Sequence, residues 1–142
     1  MADEKFRFLE HTADAKFQAF GRTLEEAFAN AALATASLMW DPGSIAREIR
    51  VPVRVRGRNL EQLLVRFLEE ILYLVESRFF LLASAEELRI EQRGPEHGLE
   101  AVFWGDTNSD AYETYGGVKA VTHHDMRISK NGGYTIQAVV DV

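Results

Sequence analysis

The sequence predicts an α+β fold, with one compact domain over residues 1–142 in which two main helices pack on a mixed or antiparallel sheet. Three observations predict it. Two stretches repeat apolar residues with the period of an amphipathic helix. Several others alternate apolar and polar residues as half-buried strands do, and most of these lie in the C-terminal half. The length of 142 residues suits a single domain with a sizeable core.

The first part of the chain is predicted to form two strands and a helix. The strand candidates are residues 6–9 and 13–20, the second of which alternates apolar and polar side chains. Thr23 and Glu26 form a capping box, and the apolar stripe of a helix follows as far as Asp41.

The second helix follows a strand rich in arginine. Between Arg47 and Arg58 the apolar and polar residues alternate, and Pro52 favours an edge strand because it lacks a backbone donor. Asn59 with Gln62 then caps a helix whose apolar stripe is wide enough to pack on a sheet. The arginines of this strand form the densest basic patch in the sequence, at positions 47, 50, 54, 56 and 58. Two interpretations stay open: contact with RNA or an acidic partner, or protection of a strand edge against aggregation.

The rest of the chain is predicted to be strands. The candidates are residues 79–82, 88–92, 99–104, 118–128 and 134–140. Asn131-Gly-Gly supplies the positive φ angles of a tight turn, so the last two strands should pair antiparallel.

Composition excludes several classes of function. The chain has no cysteine, so disulfides, thiolate metal sites and cysteine nucleophiles are excluded. A net charge of −6 argues against a protein that coats nucleic acid through bulk charge, so any RNA contact should be local. Neither a signal peptide nor a membrane span is recognisable, and the expected location is the cytoplasm.

The last predicted strand, 134–140, is followed by Asp141 and Val142. The Asp141 side chain and the Val142 α-carboxylate would then lie within one residue of each other. Repulsion between such neighbours is relieved by a cation, a proton or an arginine. This strand end therefore has the character of half a site.

Four motifs in order carry a family resemblance. They are His11-Thr-Ala-Asp14, Gly105-Asp106, the segment 118–128 with sequence VKAVTHHDMRI, and Val139-Val-Asp-Val142. Together, over nearly the whole length, they resemble the archease family.

The resemblance implies a cytoplasmic accessory protein, not itself an enzyme, for an RtcB-type RNA ligase. Such a protein promotes guanylylation of the ligase and its multiple turnover in tRNA splicing and RNA repair. Contact with tRNA or other RNA substrate would be indirect, and no contact with DNA or membrane is expected. The implied metal ligands are Asp14, Asp141 and Val142, whose oxygen donors suit Ca²⁺, Mg²⁺ or Mn²⁺.

Further candidates lie outside this ligand set. Alternation in the strand 118–128 predicts that Lys119, Val121, His123, Asp125 and Arg127 share a face and that His123 and His124 point to opposite faces, with one histidine in the core. Lys119 and His123 are candidates for activating the partner, and Asp106, in a loop, is a weaker one. His11 either orients Asp14, binds the metal or satisfies a turn.

Two other functions are alternatives to the accessory role. One is a stand-alone metal-dependent phosphohydrolase that uses Asp14 and Asp141, with His123 as general base. The sequence shows no second carboxylate cluster for a two-metal site, which disfavours it. The other is an RNA-binding adaptor that uses the arginine strand, which the acidic balance of the chain disfavours.

Overall fold

A computed structural model describes residues 4–10 and 14–142, and within these ranges the chain forms two α-helices and seven strands. The helices are α1 (Leu24–Ser37) and α2 (Leu60–Arg78). The strands are β1 (Phe6–Leu9), β2 (Ala15–Gly21), β3 (Ile49–Gly57), β4 (Leu81–Arg93), β5 (Glu96–Asp106), β6 (Ala120–Lys130) and β7 (Tyr134–Asp141). The predicted α+β class and the β-rich second half are confirmed.

The described strands form two sheets in which every pairing is antiparallel. One sheet has the order β1-β2-β7-β6, and the other has the order β3-β5-β4. The strand β3, which contains Pro52, lies at an edge as predicted, since a proline cannot donate to a second neighbour. Asn131 donates its backbone N–H to the Gly133 carbonyl at 2.8 Å, and Gly132 has φ 70°, so the predicted hairpin turn between β6 and β7 is also confirmed.

Both helices begin at the capping residues that the sequence indicates. The Thr23 hydroxyl accepts the backbone N–H of Glu26 at 3.1 Å, and the Asn59 side chain accepts that of Gln62 at 2.8 Å. These bonds satisfy N–H groups that have no partner within the first helical turn.

The two helices lie between the two sheets, and each contacts strands of both. The helix α1 is buried on most sides because alanines allow close approach of its neighbours; the buried alanines are at positions 27, 31, 32, 34 and 36. On β3, Val51 and Val53 are buried while Arg50 and Arg54 are exposed. Each sheet therefore packs one face on the helices and turns the other face outward.

The region 79–93 differs from the prediction of two short strands. Phe79 ends α2 with a left-handed φ of 55°, and a single strand, β4, then runs from Leu81 to Arg93. Its register against β5 shifts twice, between Leu82 and Ser84 and between Glu86 and Arg89. The sequence pattern indicated a break between two strands at the polar residues in this region. In the structure these residues belong to β4 and lie at its two bulges.

Candidate functional site

Asp14 and Asp141 lie at the same end of neighbouring strands. The last register pair between β2 and β7 is Ala15 with Val140, and the two aspartates are the next residues beyond this pair. Residues directly opposite on antiparallel strands have Cβ atoms about 5 Å apart. The fold thus brings together two carboxylates from opposite ends of the chain.

The strand β6 holds the same end of β7 from the other side. Ala120 pairs with Asp141, and the backbone N–H of Lys119 donates to the Asp141 carbonyl at 2.7 Å. Val142 follows and is 45% exposed. The end of β7 is therefore fixed by hydrogen bonds on the β6 side, and Lys119 lies next to it.

The two aspartates are half-buried, and none of the described side chains neutralises them. Over residues 4–10 and 14–142, no lysine, arginine or histidine lies within salt-bridge distance of Asp14 or Asp141. Lys16, two positions along the chain from Asp14, pairs instead with Asp125 at 3.6 Å. Neighbouring carboxylates favour binding of a cation, because it relieves their mutual repulsion.

The donor chemistry fits a hard divalent ion. Carboxylate oxygens are the ligands that Ca²⁺ and Mg²⁺ prefer. In the described part of the chain, no group of three or more histidine, aspartate or glutamate side chains is placed to hold a metal ion. Side chains of the described residues thus supply the two aspartates alone, and further ligands would come from Val142, water or a phosphate. His11 lies outside the described residues.

The predicted common face of the segment 118–128 is wrong, because β6 contains a large bulge. Thr122 pairs with Val139 and Arg127 pairs with Gln137, so residues 123–126 lie opposite Ala138 alone. Three extra residues, an odd number, reverse the alternation beyond the bulge. Val121 before it and Ile128 after it accordingly both pack on the core.

The prediction that one of the paired histidines is buried is also wrong. His123 and His124 are both exposed, since both belong to the bulge and not to the regular ladder. The His124 Nε2 lies 3.5 Å from an Asp125 carboxylate oxygen. Both histidines therefore lie at the surface, and His123 stays a candidate for contact with a partner.

The bulge folds over the outer face of its own sheet, a feature that period-two alternation does not predict. Asp125 has a left-handed φ of 54°, and its carbonyl accepts the Gln137 side-chain amide at 2.9 Å. Val139 is fully buried although its ladder partners, Lys16 and Thr122, lie on the outward-facing side of the sheet. The signal that could have indicated this cover is the apolar run 138–140 at the end of β7, which breaks the alternation.

Asp106 is fixed as a loop anchor. Its carboxylate accepts the Tyr112 hydroxyl at 2.7 Å and the backbone N–H of Asn108 at 3.2 Å. The Tyr112 hydroxyl bond, followed by the backbone bonds, holds the pKa of Asp106 below its usual value. The preceding Gly105 is required because a Cβ there would lie 2.0 Å from the Leu81 carbonyl oxygen. The Gly105-Asp106 motif thus shapes the loop that leads to Lys119.

The helices within the described ranges lack the long stretch of apolar residues that crossing a bilayer would require.

Comparisons with known proteins agree with the motif pattern. The family model described as the archease protein family matches residues 6–142. The chain is 40% identical over 145 residues to the protein archease of Methanosarcina acetivorans, with 98% of this chain and 97% of that protein covered. It is 38% identical over 140 residues to the protein archease of Pyrobaculum neutrophilum, with 96% and 95% covered.

A solved structure shares the fold. The solution structure of a Methanobacterium thermoautotrophicum protein matches with a TM-score of 0.82 and 29% sequence identity, covering 97% of this chain and 99% of that chain. The family match over residues 6–142 and the full-length relatives lead to one conclusion: this chain belongs to the archease family.

Proposed function

We propose that this protein is an accessory factor that activates an RtcB-type RNA ligase and that the Asp14–Asp141 end of the four-stranded sheet is its working part. Family membership supports the accessory role. The observation that carries the site is the pair of carboxylates at neighbouring strand ends, next to Lys119. In this proposal Val142 contributes a main-chain oxygen as a third donor.

The residues at this strand end are suited to stabilising the negative charge of a phosphoryl group. A divalent cation, when bound, would supply charge stabilisation to phosphate oxygens. Asp14 and Asp141 would hold the ion through oxygen atoms, while the backbone bond from Lys119 to Asp141 keeps the strand end in place. The Lys119 ammonium would add a point charge beside it, and exposed His123 is a further candidate for contact with the ligase. Both roles stay predictions.

The test is a multiple-turnover RNA ligation assay with the ligase, GTP and a divalent ion, with and without this protein. Asp14→Ala and Asp141→Ala should each lower the stimulation at least about tenfold, because each removes one of the few ion ligands. Calorimetric titration of the same variants with Ca²⁺ and Mn²⁺ should show a matching loss of affinity. Circular dichroism should show an unchanged fold.

Asp110→Ala is the matched control, since this exposed aspartate lies in the short helical turn Ser109–Ala111, outside β2 and β7, and carries the same charge. Full stimulation by Asp14→Ala and Asp141→Ala would rule out the site as the working part. The same preparation incubated with a phosphoester and metal, without ligase, separates the activator from the phosphohydrolase. Turnover that depends on Asp141 would favour the hydrolase.

A further inference from the structure

The outer face of the three-stranded sheet concentrates positive charge on an acidic protein. Six arginines lie on it, at positions 47, 50, 54, 56, 89 and 93, against four glutamates at positions 86, 91, 96 and 100, in a chain of net charge −6. All six arginines are exposed. The patch therefore extends beyond the arginine strand that the sequence indicates, because β4 adds Arg89 and Arg93 from the other side of β5.

A groove runs along the middle of this face, and its floor is Gly98. On β5, Gly98 is flanked by Arg56 on β3 and by Glu91 on β4. A Cβ built on Gly98 would meet no atom within 4 Å, so the absent side chain leaves open space. The resulting cavity of about 140 Å³ is lined by four guanidinium-bearing residues, Arg54, Arg56, Arg89 and Arg93. We refer to it as the Gly98 groove.

The ion pairs in the Gly98 groove leave it with excess positive charge. Glu100 accepts from Arg54 at 2.6 Å and from Arg89 at 2.8 Å, so one carboxylate serves two guanidinium groups. The bond from Arg54 is the main reason that the pKa of Glu100 lies below its usual value, which keeps it ionised. Arg93 pairs with Glu91 at 3.0 Å. Among the described residues, Arg56 has no carboxylate within salt-bridge distance.

Glu100 also bridges the two sides of the groove. Its two oxygens fix one guanidinium from each flanking strand, on either side of the central strand. Arg54 and Arg89 remain 74% and 71% exposed, so most of their five N–H donors each can bind a further acceptor. Protection of a sheet edge does not explain this arrangement, because Glu100, around which the two arginines are held, lies on the central strand β5.

We infer that the Gly98 groove binds the phosphodiester backbone of a single RNA strand. Arginine forks match phosphate oxygens in a bidentate manner, and the cations that line the groove are arginines. Trp104, a large aromatic residue on this face, is covered by the Arg47 guanidinium at 4.8 Å, which favours backbone contact over base stacking. The inference that the groove binds an anion rests on its arginines alone. The choice of RNA over other polyanions rests also on the proposed function.

The test is fluorescence anisotropy of a labelled single-stranded oligouridine of about twelve nucleotides, titrated with the protein alone. If about three phosphates are neutralised, the logarithm of the binding constant should fall with the logarithm of salt concentration with a slope of about −2. Between about 50 and 200 mM salt this slope corresponds to roughly a 15-fold loss of affinity.

Two variants remove the site in different ways. Gly98→Glu places a carboxylate in open space at a position without positive φ, and it should weaken binding at least about tenfold. Arg56→Ala should weaken binding roughly threefold and make the salt slope shallower by about 0.7. The matched controls, Ser129→Glu and Arg127→Ala, introduce a carboxylate and remove a guanidinium on the exposed surface of the other sheet and should bind like the wild type. Thermal unfolding of each variant checks the fold.

Glu100→Gln distinguishes a binding groove from a purely structural ion pair. It removes the competing carboxylate and frees Arg54 and Arg89, so RNA affinity should rise about threefold. Unchanged RNA affinity in both Gly98→Glu and Glu100→Gln would overturn the proposal. Equal binding of polyglutamate, lost equally in Gly98→Glu, would reassign the groove to an acidic peptide. The RNA titration contains no ligase, so its outcome does not depend on the ligation assay. A failed ligation assay would not contradict RNA binding by the groove, and a failed RNA titration would not contradict the activator proposal.

Discussion

Gly105 shows how a single missing methyl group can decide the course of the chain. A Cβ at this position would lie 2.0 Å from the Leu81 carbonyl oxygen, a backbone atom that cannot move without disturbing β4. Gly98, seven residues earlier on the same strand, has no atom within 4 Å of the corresponding position. The two glycines of β5 therefore differ in role: Gly105 avoids a clash with the β4 backbone, whereas Gly98 leaves open space above the sheet.

The pair gives a matched prediction on stability. Gly105→Ala should lower the free energy of unfolding by about 2 to 3 kcal/mol, because the clash forces the β4–β5 ladder apart. Gly98→Ala adds the same methyl group to the same strand and should be neutral or stabilising by up to about 1 kcal/mol. Urea denaturation of both variants measures the difference. Equal stabilities would show that the backbone at Leu81 relaxes without cost.

Asp106 and Tyr112 give a prediction on pH. Their hydrogen bond lowers the pKa of Asp106 below 3.8 and raises the pKa of Tyr112 above 10.0. The depressed carboxyl pKa contributes stability that is present above the unfolded value and lost as pH falls through the folded value. The raised phenol pKa contributes stability that is present below the unfolded value and lost as pH rises through the folded value.

Tyr112→Phe should therefore be less stable than the wild type at neutral pH. The difference in melting temperature should shrink below about pH 3.8 and again above about pH 10. Thermal unfolding monitored across this range is the measurement, with Tyr115→Phe, an exposed tyrosine of the neighbouring segment, as the control. A difference that stays constant with pH would assign the effect to packing.

At the level of single residues, the sequence is informative where chemistry is local. Asp141 is recognisable because a strand ends on it, and Asp14 is recognisable from the family resemblance. The pairing of Lys16 with Asp125 is not recognisable, because it depends on a bulge that brings two distant residues together. The hydrogen-bond partners of Asp106 cannot be predicted from the sequence for a similar reason, because the loop conformation decides which hydroxyl group lies next to its carboxylate.

Whole elements are predictable where their signals lie within a few residues. The capping residues Thr23 and Asn59 mark the starts of both helices, and Asn131-Gly-Gly marks the hairpin. The strands β4 and β6 are predicted less well, because alternation with period two assumes an unbroken ladder. In both strands a bulge inserts residues, and the register is decided by the neighbouring strand and not by local sequence.

The β6 bulge supports a prediction at this scale. Asp125 has a left-handed φ of 54°, a conformation that aspartate and asparagine tolerate and β-branched residues do not. Asp125→Val should destabilise the protein by about 1 to 2 kcal/mol more than Asp125→Asn, which keeps the backbone preference and removes only the charge. Denaturant unfolding of the two variants measures it. If both lose the same stability, the pair with Lys16 matters and the backbone does not.

The whole molecule separates two surfaces of opposite charge. The paired aspartates lie at one end of the four-stranded sheet, and the Gly98 groove lies on the outer face of the three-stranded sheet, with α1 and α2 between the sheets. Residues that share no partner and belong to different elements act independently in most proteins. The α+β class is predictable from periodicity, whereas the division into two sheets is not, because it depends on long-range pairing.

This separation predicts additive behaviour. The double variant Asp141→Ala with Gly98→Glu should lose Ca²⁺ affinity to the same extent as Asp141→Ala and RNA affinity to the same extent as Gly98→Glu. Calorimetry and anisotropy on the four proteins of the cycle provide the measurement. A coupling larger than about 0.5 kcal/mol in either assay would indicate that the two surfaces communicate.

The strand order β1-β2-β7-β6 has a consequence for how the aspartate pair arises. The ladder that brings Asp14 beside Asp141 joins segments from the two ends of the chain, and contacts of such separation form slowly because a large loop must close first. Before that ladder forms, no strand pairing holds the two aspartates side by side. Binding of the proposed ion at this strand end would therefore require a completed β2–β7 ladder, because this ladder brings the two aspartates together.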